Sequence, residues 1–293
     1  MNSDRKKGII FASLGAVLWG ASGIAGQYLL INEQIAPEWL TFCRLLLAGV
    51  LLLSLLALQG KKIFEIWKDK EDRISILVFS VFGMMATQYG YFASIAESNA
   101  PTATVLEYIN PILIIFWNCF REKRLPDRLE IGCTFFAVAG TFLVATGGDF
   151  GALAISPKAL FWGLLAALAC AIYTVVPVRI IRKFGSPVVI GWGMFIASLF
   201  MGPVAAWTPF TGALSIHVIL AFFFVVIFGT ILSFCFYLGS VAYIRPAETS
   251  IIGAIEPVSS VIFSFFLFHL LFGAWDLLGM ALIIAAVILV ARK

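Results

Sequence analysis

At 293 residues, 61% hydrophobic and only 12% charged, with a mean hydropathy of +1.02, the chain is too apolar for a soluble globular protein. A bilayer core takes about 20 apolar residues per helix, which leaves room for spanning helices and short loops but not for a separate soluble catalytic domain. The net charge of +4 is not a nucleic-acid signature, because its distribution along the chain accounts for it.

Apolar runs at 8–29, 37–58, 74–96, 101–120, 128–147, 157–178, 187–208, 216–240, 246–269 and 275–291 predict ten transmembrane helices, spans 1 to 10. The expected fold is an all-α polytopic membrane protein with a single transmembrane domain over residues 1–293. The first run is about 22 residues, longer than the roughly 7–15 of a signal-peptide core, so span 1 is expected to stay in the mature chain. With the N-terminus in the cytoplasm, eighteen of the twenty Lys and Arg fall on the inner side. They include Arg5-Lys6-Lys7, Lys61-Lys62, Arg121 through Arg128, Arg179 through Lys183, and Arg292-Lys293. The two exceptions are Lys158 in an outer loop and Arg44 within span 2. The positive-inside rule then predicts a multi-pass protein of the inner or plasma membrane with both termini cytoplasmic.

Residues 91–145 align without a gap on 237–291, an offset of 146. Tyr91, Ser94 and Ala96 match Tyr237, Ser240 and Ala242, and Pro111 matches Pro257. Phe120, Leu125, Ala139 and Leu143-Val144-Ala145 match Phe266, Leu271, Ala285 and Leu289-Val290-Ala291. Five spans per half is an odd number, so the second half crosses the membrane in the opposite sense. The basic loop after span 4 is inner, and its counterpart after span 9 is outer and lacks Lys and Arg. The expectation is an inverted repeat, about 8–147 and 157–291, a plan that recurs among secondary transporters with a central site.

Charge inside a bilayer is costly and marks function. Arg44 and Glu107 are expected roughly 10 Å deep from the outer side, and Glu256 about 15 Å from the inner side. Glu107 precedes Pro111 by four residues and reads as lining a cavity, where it binds an amine or carries a proton. For Arg44 two readings stand: a structural charge reaching a helix end, or an ion pair with Glu107 made in one transport state and lost in another. Asn110-Pro111 and Glu256-Pro257 hold equivalent positions, and each proline predicts a mid-helix kink that exposes carbonyls beside a polar side chain. Trp19, Tyr89 and Tyr173 read as too deep for interfacial anchors, and with Gln88 they complete the candidate substrate-binding set. Arg44, Pro111 and Pro257 are the candidate gating or structural residues. Gly15, Gly20, Gly23 and Gly26 stripe span 1 as a close-packing face.

The five cysteines lie inside spans without CxxC spacing and read as small core residues. His217 and His269 have no partner at ligand spacing, so no metal site is expected. No P-loop, Ser-His-Asp or HExxH grouping points to an enzyme.

Taken with Leu18-Trp19-Gly20, Arg44-Leu45-Leu46, Ala100-Pro101, Ile255-Glu256-Pro257-Val258 and the closing span from Gly279, the chain resembles the drug/metabolite transporter superfamily, in particular its EamA-type ten-helix members. The resemblance implies two inverted five-helix repeats around a cavity built by spans 1, 3, 4, 6, 8 and 9. It also implies transport, often export, of amino acids, related metabolites or drugs. One departure stands out. A Gly-Glu pair commonly ends the fourth helix of each half in that family; Glu122 keeps the acid here, while the second half reads His269-Leu270.

The functional expectation is a secondary transporter, an exporter, for a small polar or amphipathic solute such as an amino acid or amine. The alternatives are a multidrug or organic-cation exporter and a non-transporting membrane partner. The expected partners are the solute and the lipid bilayer, without nucleic acid, the chain acting as monomer or homodimer. No cofactor is called for; the buried acids leave proton coupling open.

Overall fold

Prolines and small polar residues decide where the helices begin. A proline in the first turn gives up an N–H that has no helical acceptor anyway, and spans 2, 4, 6 and 7 open this way at Pro37, Pro101, Pro157 and Pro187. Side chains cap the remaining orphan donors. Asn99 Oδ1 accepts from Thr102 N at 2.9 Å and Ser156 Oγ from Ala159 N at 3.0 Å, while Ser215 Oγ accepts from Val218 N at 3.2 Å.

The computed structural model describes residues 3–149, 154–212, 215–240, 243–244, 249 and 252–291. All regular structure among them is helical. Eight helices, from Asp4–Asn32 to Ile216–Tyr237, are long and apolar enough to cross a bilayer. The shorter apolar helices Ile255–Phe268 and Ala274–Leu289 stand where spans 9 and 10 are expected. The predicted start of span 9, at 246, falls largely outside the described residues.

The 146-residue offset recurs in backbone geometry. Span 3 is π-helical over Phe79–Met85 and span 8 over Phe224–Leu232, which brackets the offset equivalents 225–231. The fourth helix of each half ends on a left-handed residue, Lys123 (φ +50°) and His269 (φ +53°), again 146 apart. Spans 5 and 10 open on matching turns: Asp127 N donates to Glu130 Oε2 at 2.9 Å, and Gly273 N donates to Asp276 Oδ2 at 3.0 Å.

The packing follows the same relation. Span 2 packs on span 7, span 3 on span 6, span 1 on spans 8 and 9, and span 5 on span 10. Gly49 meets Phe195, its own offset equivalent, so a pseudo-twofold axis passes between spans 2 and 7. At the crossing of spans 5 and 10 the backbones themselves touch. A Cβ on Gly140 would lie 2.5 Å from Gly279 O, and one on Gly279 would lie 2.6 Å from Gly140 O. Trp indoles tie each end of the 2/7 pair: Trp39 Nε1 donates to Thr208 O at 2.9 Å and Trp192 Nε1 to Ile63 O at 2.7 Å. Large apolar side chains such as Leu58, Phe120 and Trp207 are left uncovered, as suits a surface solvated by lipid.

A charged clamp joins the halves at the start of span 3. Asp72 is fully buried, with Arg179 Nη2 at 2.9 Å and Lys183 Nζ at 2.5 Å, both from the short helix Val178–Phe184 after span 6. Asp69 caps the helix Lys70–Val78 that opens span 3, and the backbone N–H groups of Asp72 and Glu71 hold its carboxyl below the usual carboxylate range. A carboxyl so depressed favours the folded state at neutral pH, and that contribution is lost only as pH falls through its lowered value.

Two outcomes test this packing. Gly140→Ala forces a Cβ against backbone and is expected to cost about 1–3 kcal/mol, read as a lower melting temperature in detergent. Gly132→Ala, whose Cβ would enter open space, should leave melting unchanged. Asp72→Ala removes the buried carboxylate shared by two half-exposed cations, which water can then solvate, and is expected to cost about 1–3 kcal/mol. Glu71→Ala, on an exposed side chain, should shift melting little.

Candidate solute-binding site

The sequence predicts kinks at the two mid-span prolines. The structure has breaks instead. Span 4 is two helices, Ala100–Glu107 and Asn110–Glu122, with Tyr108 and Ile109 in the turn between them. The main helix of span 9, Ile255–Phe268, begins at the equivalent point. Pro111 and Pro257 thus sit in first helical turns, where their missing N–H costs nothing to their own helix.

The cost falls on the carbonyl four residues earlier, which loses its donor. Those carbonyls are Glu107 O and Gly253 O, once more 146 apart, and each has been taken by a side chain. Asn110 Nδ2 donates to Glu107 O at 2.9 Å. Tyr108 Oη donates to Gly253 O at 2.8 Å and lies 3.1 Å from Glu256 Oε2. The freed carbonyls therefore take side-chain partners and brace the breaks. The hydrogen bonds of Tyr108 pin one break to the other.

The carboxyls beside the breaks converge. Glu107 has Glu256, the Cys170 thiol and Arg44 within electrostatic reach, and Glu256 has Tyr108 and Arg44. Both are enclosed by protein, and each keeps a minor part of its surface accessible. Span 6 contributes Cys170 and Tyr173 to this neighbourhood. Span 8 contributes Tyr237, whose ring lies tilted at 50° with its centroid 4.7 Å from that of Trp19 of span 1, which also meets Phe234 at 5.0 Å. Span 1 can come this close because Gly20 lacks a side chain: a Cβ there would lie 2.8 Å from Glu256 O.

Other candidates lie elsewhere. Arg44 is buried, but among the described residues it forms no ion pair with Glu107. Its Nε donates to Thr230 Oγ1 at 2.7 Å and its Nη2 to Gly229 O at 3.2 Å, with its guanidinium 5.2 Å from the Phe92 ring. Tyr89 donates to Glu38 Oε1 at 2.8 Å, which ties it to the first turn of span 2. Its neighbour Gln88 is half-buried. An apolar groove of about 530 Å³ between spans 1, 8 and 9, walled by Ile24, Phe224 and Phe263, contains none of the candidate residues.

Sequence reading missed Cys170, taken for a core residue, although its i, i+3 spacing from Tyr173 on one helix face was available. It also left Tyr237 out of the site, and it passed over Thr230. Chemically, two carboxyls ringed by Trp19, Tyr108, Tyr173 and Tyr237 suit a cationic group, which gains from both charge and aromatic faces. Among the described residues, no three of His, Cys, Asp and Glu are grouped to hold a metal ion.

These features define a multi-pass helical membrane protein with an acidic, aromatic interior between repeated broken helices. The chain matches the model of the EamA-like transporter family twice, over residues 6–146 and 157–292. It is 38% identical over 291 residues to a Salmonella typhimurium protein named an uncharacterized inner membrane transporter, YicL, covering 99% of this chain and 97% of the relative. It is 23% identical over 288 residues to the Bacillus subtilis uncharacterized transporter YdeK, covering 98% and 97%. A solved crystal structure shares the fold, with a TM-score of 0.65 over 97% of this chain and 96% of that one at 16% identity. The chain belongs to the EamA-like transporter family.

If Tyr108 pins the two breaks, Tyr108→Phe strands a buried carbonyl and is expected to cost about 1–3 kcal/mol. Thermal melting of the purified protein should show the loss, and Tyr243→Phe, at an exposed ring, should not.

Proposed function

We propose that the chain is a secondary active exporter of a small amphipathic solute bearing an amine, such as an amino acid or related metabolite, working by alternating access around Glu107 and Glu256. The observation that carries this reading is the meeting of two carboxyls beside two braced helix breaks, within aromatic walls. Broken helices are how transporter folds place polar groups at depth without stranding backbone in lipid. Glu107 is assigned to the amine or to a coupling proton, and Glu256 to the site's inner rim. Trp19, Tyr173 and Asn110 complete the lining; Gln88 and Tyr89 stand toward the outer mouth. The reading needs no cofactor, places both termini in the cytoplasm of an inner or plasma membrane, and asks for one chain, alone or as a homodimer.

The aromatic walls favour a second reading, an exporter of varied organic cations, and melting against a solute panel separates the two. A ligand at about 100 times its Kd adds about 2.7 kcal/mol to the native state. One amine class raising the melting temperature supports the selective exporter; shifts with many unrelated cations support the second reading. In either case Glu107→Gln should abolish the shift and cut flux in proteoliposomes by about tenfold or more, the worth of one charged hydrogen bond. Wild-type flux in a well-folded Glu107→Gln would remove Glu107 from the site. A flat panel with no flux would favour a non-transporting partner protein.

A further inference from the structure

Arg44 is spent on an unusual target. A guanidinium at bilayer depth is expensive, yet this one is given to two neutral acceptors, both in the π-helical segment Phe224–Leu232. Thr230 Oγ1, which receives the Arg44 Nε, itself donates to Val225 O at 2.8 Å, five residues back. The hydroxyl therefore spans one π turn while the arginine anchors that turn to span 2. Ser22 of span 1 presses on the adjacent Gly229 so closely that a Cβ there would lie 1.9 Å from Ser22 Oγ. Spans 1 and 2 of the first half thus grip span 8 of the second half at one point.

The matching segment of span 3, Phe79–Met85, has no such grip. The offset equivalents of Arg44 and Thr230 are Ile190 and Met84, both apolar. The local hydroxyl there, Ser80, donates within its own helix to Ile76 O at 2.6 Å. Among the described residues, two repeats with the same backbone irregularity therefore differ in whether a buried charge holds it.

A π segment holds a surplus residue relative to an α-helix and is a common functional irregularity. Rewinding it to α turns everything beyond by about 100° and shifts it by about 1.5 Å. Beyond this segment on span 8 lie Cys235 and Tyr237, the latter against Trp19 in the candidate site. The charges of Glu107 and Glu256 also act on Arg44 from a distance.

We propose that Arg44 and Thr230 form a latch that holds the π turn of span 8, and that its release lets span 8 rewind and swing Tyr237 relative to Glu256. Arg44 is in this sense a positioning residue. The proposal rests on the transporter reading for its purpose, but its physical content is testable without any solute.

The test uses the full-length protein in nanodiscs with Thr230→Val, Thr230→Ser and Arg44→Lys. Amide exchange across 224–232, resolved by peptide mass spectrometry, is the readout. Thr230→Val keeps the side-chain shape without the hydroxyl. It should change exchange across the segment by about tenfold, the worth of a hydrogen bond to a charged group. Arg44→Lys should do the same where it folds; Thr230→Ser should behave as wild type. A folded Thr230→Val with wild-type exchange overturns the latch. If that variant responds while Glu107→Gln transports normally, the latch stands and the assigned solute site falls. If it does not respond while Glu107→Gln loses transport, the site stands and the latch falls.

Discussion

A carbonyl that loses its helical donor inside a bilayer has no water to turn to, and much of this molecule is arranged around two such carbonyls. Pro111 and Pro257 withhold the N–H groups that Glu107 O and Gly253 O would otherwise receive. Asn110 and Tyr108 supply replacements from within the breaks. Because Tyr108 also reaches Glu256, satisfying the backbone and placing the acids are one event. Short polar side chains at a helix break are thus first a solution to hydrogen bonding, and only through that solution a site.

The same backbone is used twice with different side chains. Offset-matched π segments, left-handed helix ends and helix-opening turns give both halves one geometry. The side chains then distinguish them. The first half closes its span 4–5 loop with Arg124, held by Glu130 at 2.7 and 2.9 Å and by Glu122 at 2.7 Å. The second half has His269, Leu270 and Gly273 in the corresponding stretch and no comparable charge. The clamp at Asp72 likewise has Val218 at its offset equivalent. On the proposed function, a symmetric frame with asymmetric ties would give the two arrangements different energies, and a solute would shift the balance between them.

Hydropathy made the spans legible because the bilayer demands long apolar runs, and Pro37–Leu58 and Arg128–Thr146 begin where the sequence places them. The 146-residue offset was legible through shared prolines and tyrosines. The breaks were not, because a proline in a helical pattern looks the same whether it bends the helix or restarts it; the choice depends on a donor from Asn110 or Tyr108. The π segments left no trace, since Phe79–Met85 and Phe224–Leu232 are ordinary apolar sequence. Arg44 could be identified as costly, but not assigned partners 186 residues away. Nothing in the sequence links Tyr89 to Glu38, 51 residues away, which accepts its hydroxyl.

The three ionisable residues of the interior illustrate why a site can survive in such a place. Arg44, Glu107 and Glu256 come from spans 2, 4 and 9 and lie within electrostatic reach of one another. Had Arg44 closed on either acid, the result would be a buried ion pair whose desolvation rivals its attraction and whose charges are no longer available. With Arg44 hydrogen-bonded to Thr230 and Gly229, its field still offsets the acids at a distance without closing on either of them. On the proposed function, a cationic solute would meet both acids, and its arrival would change the balance of forces on Arg44. That is the minimum connection by which the proposed occupancy of the interior would act on span 8.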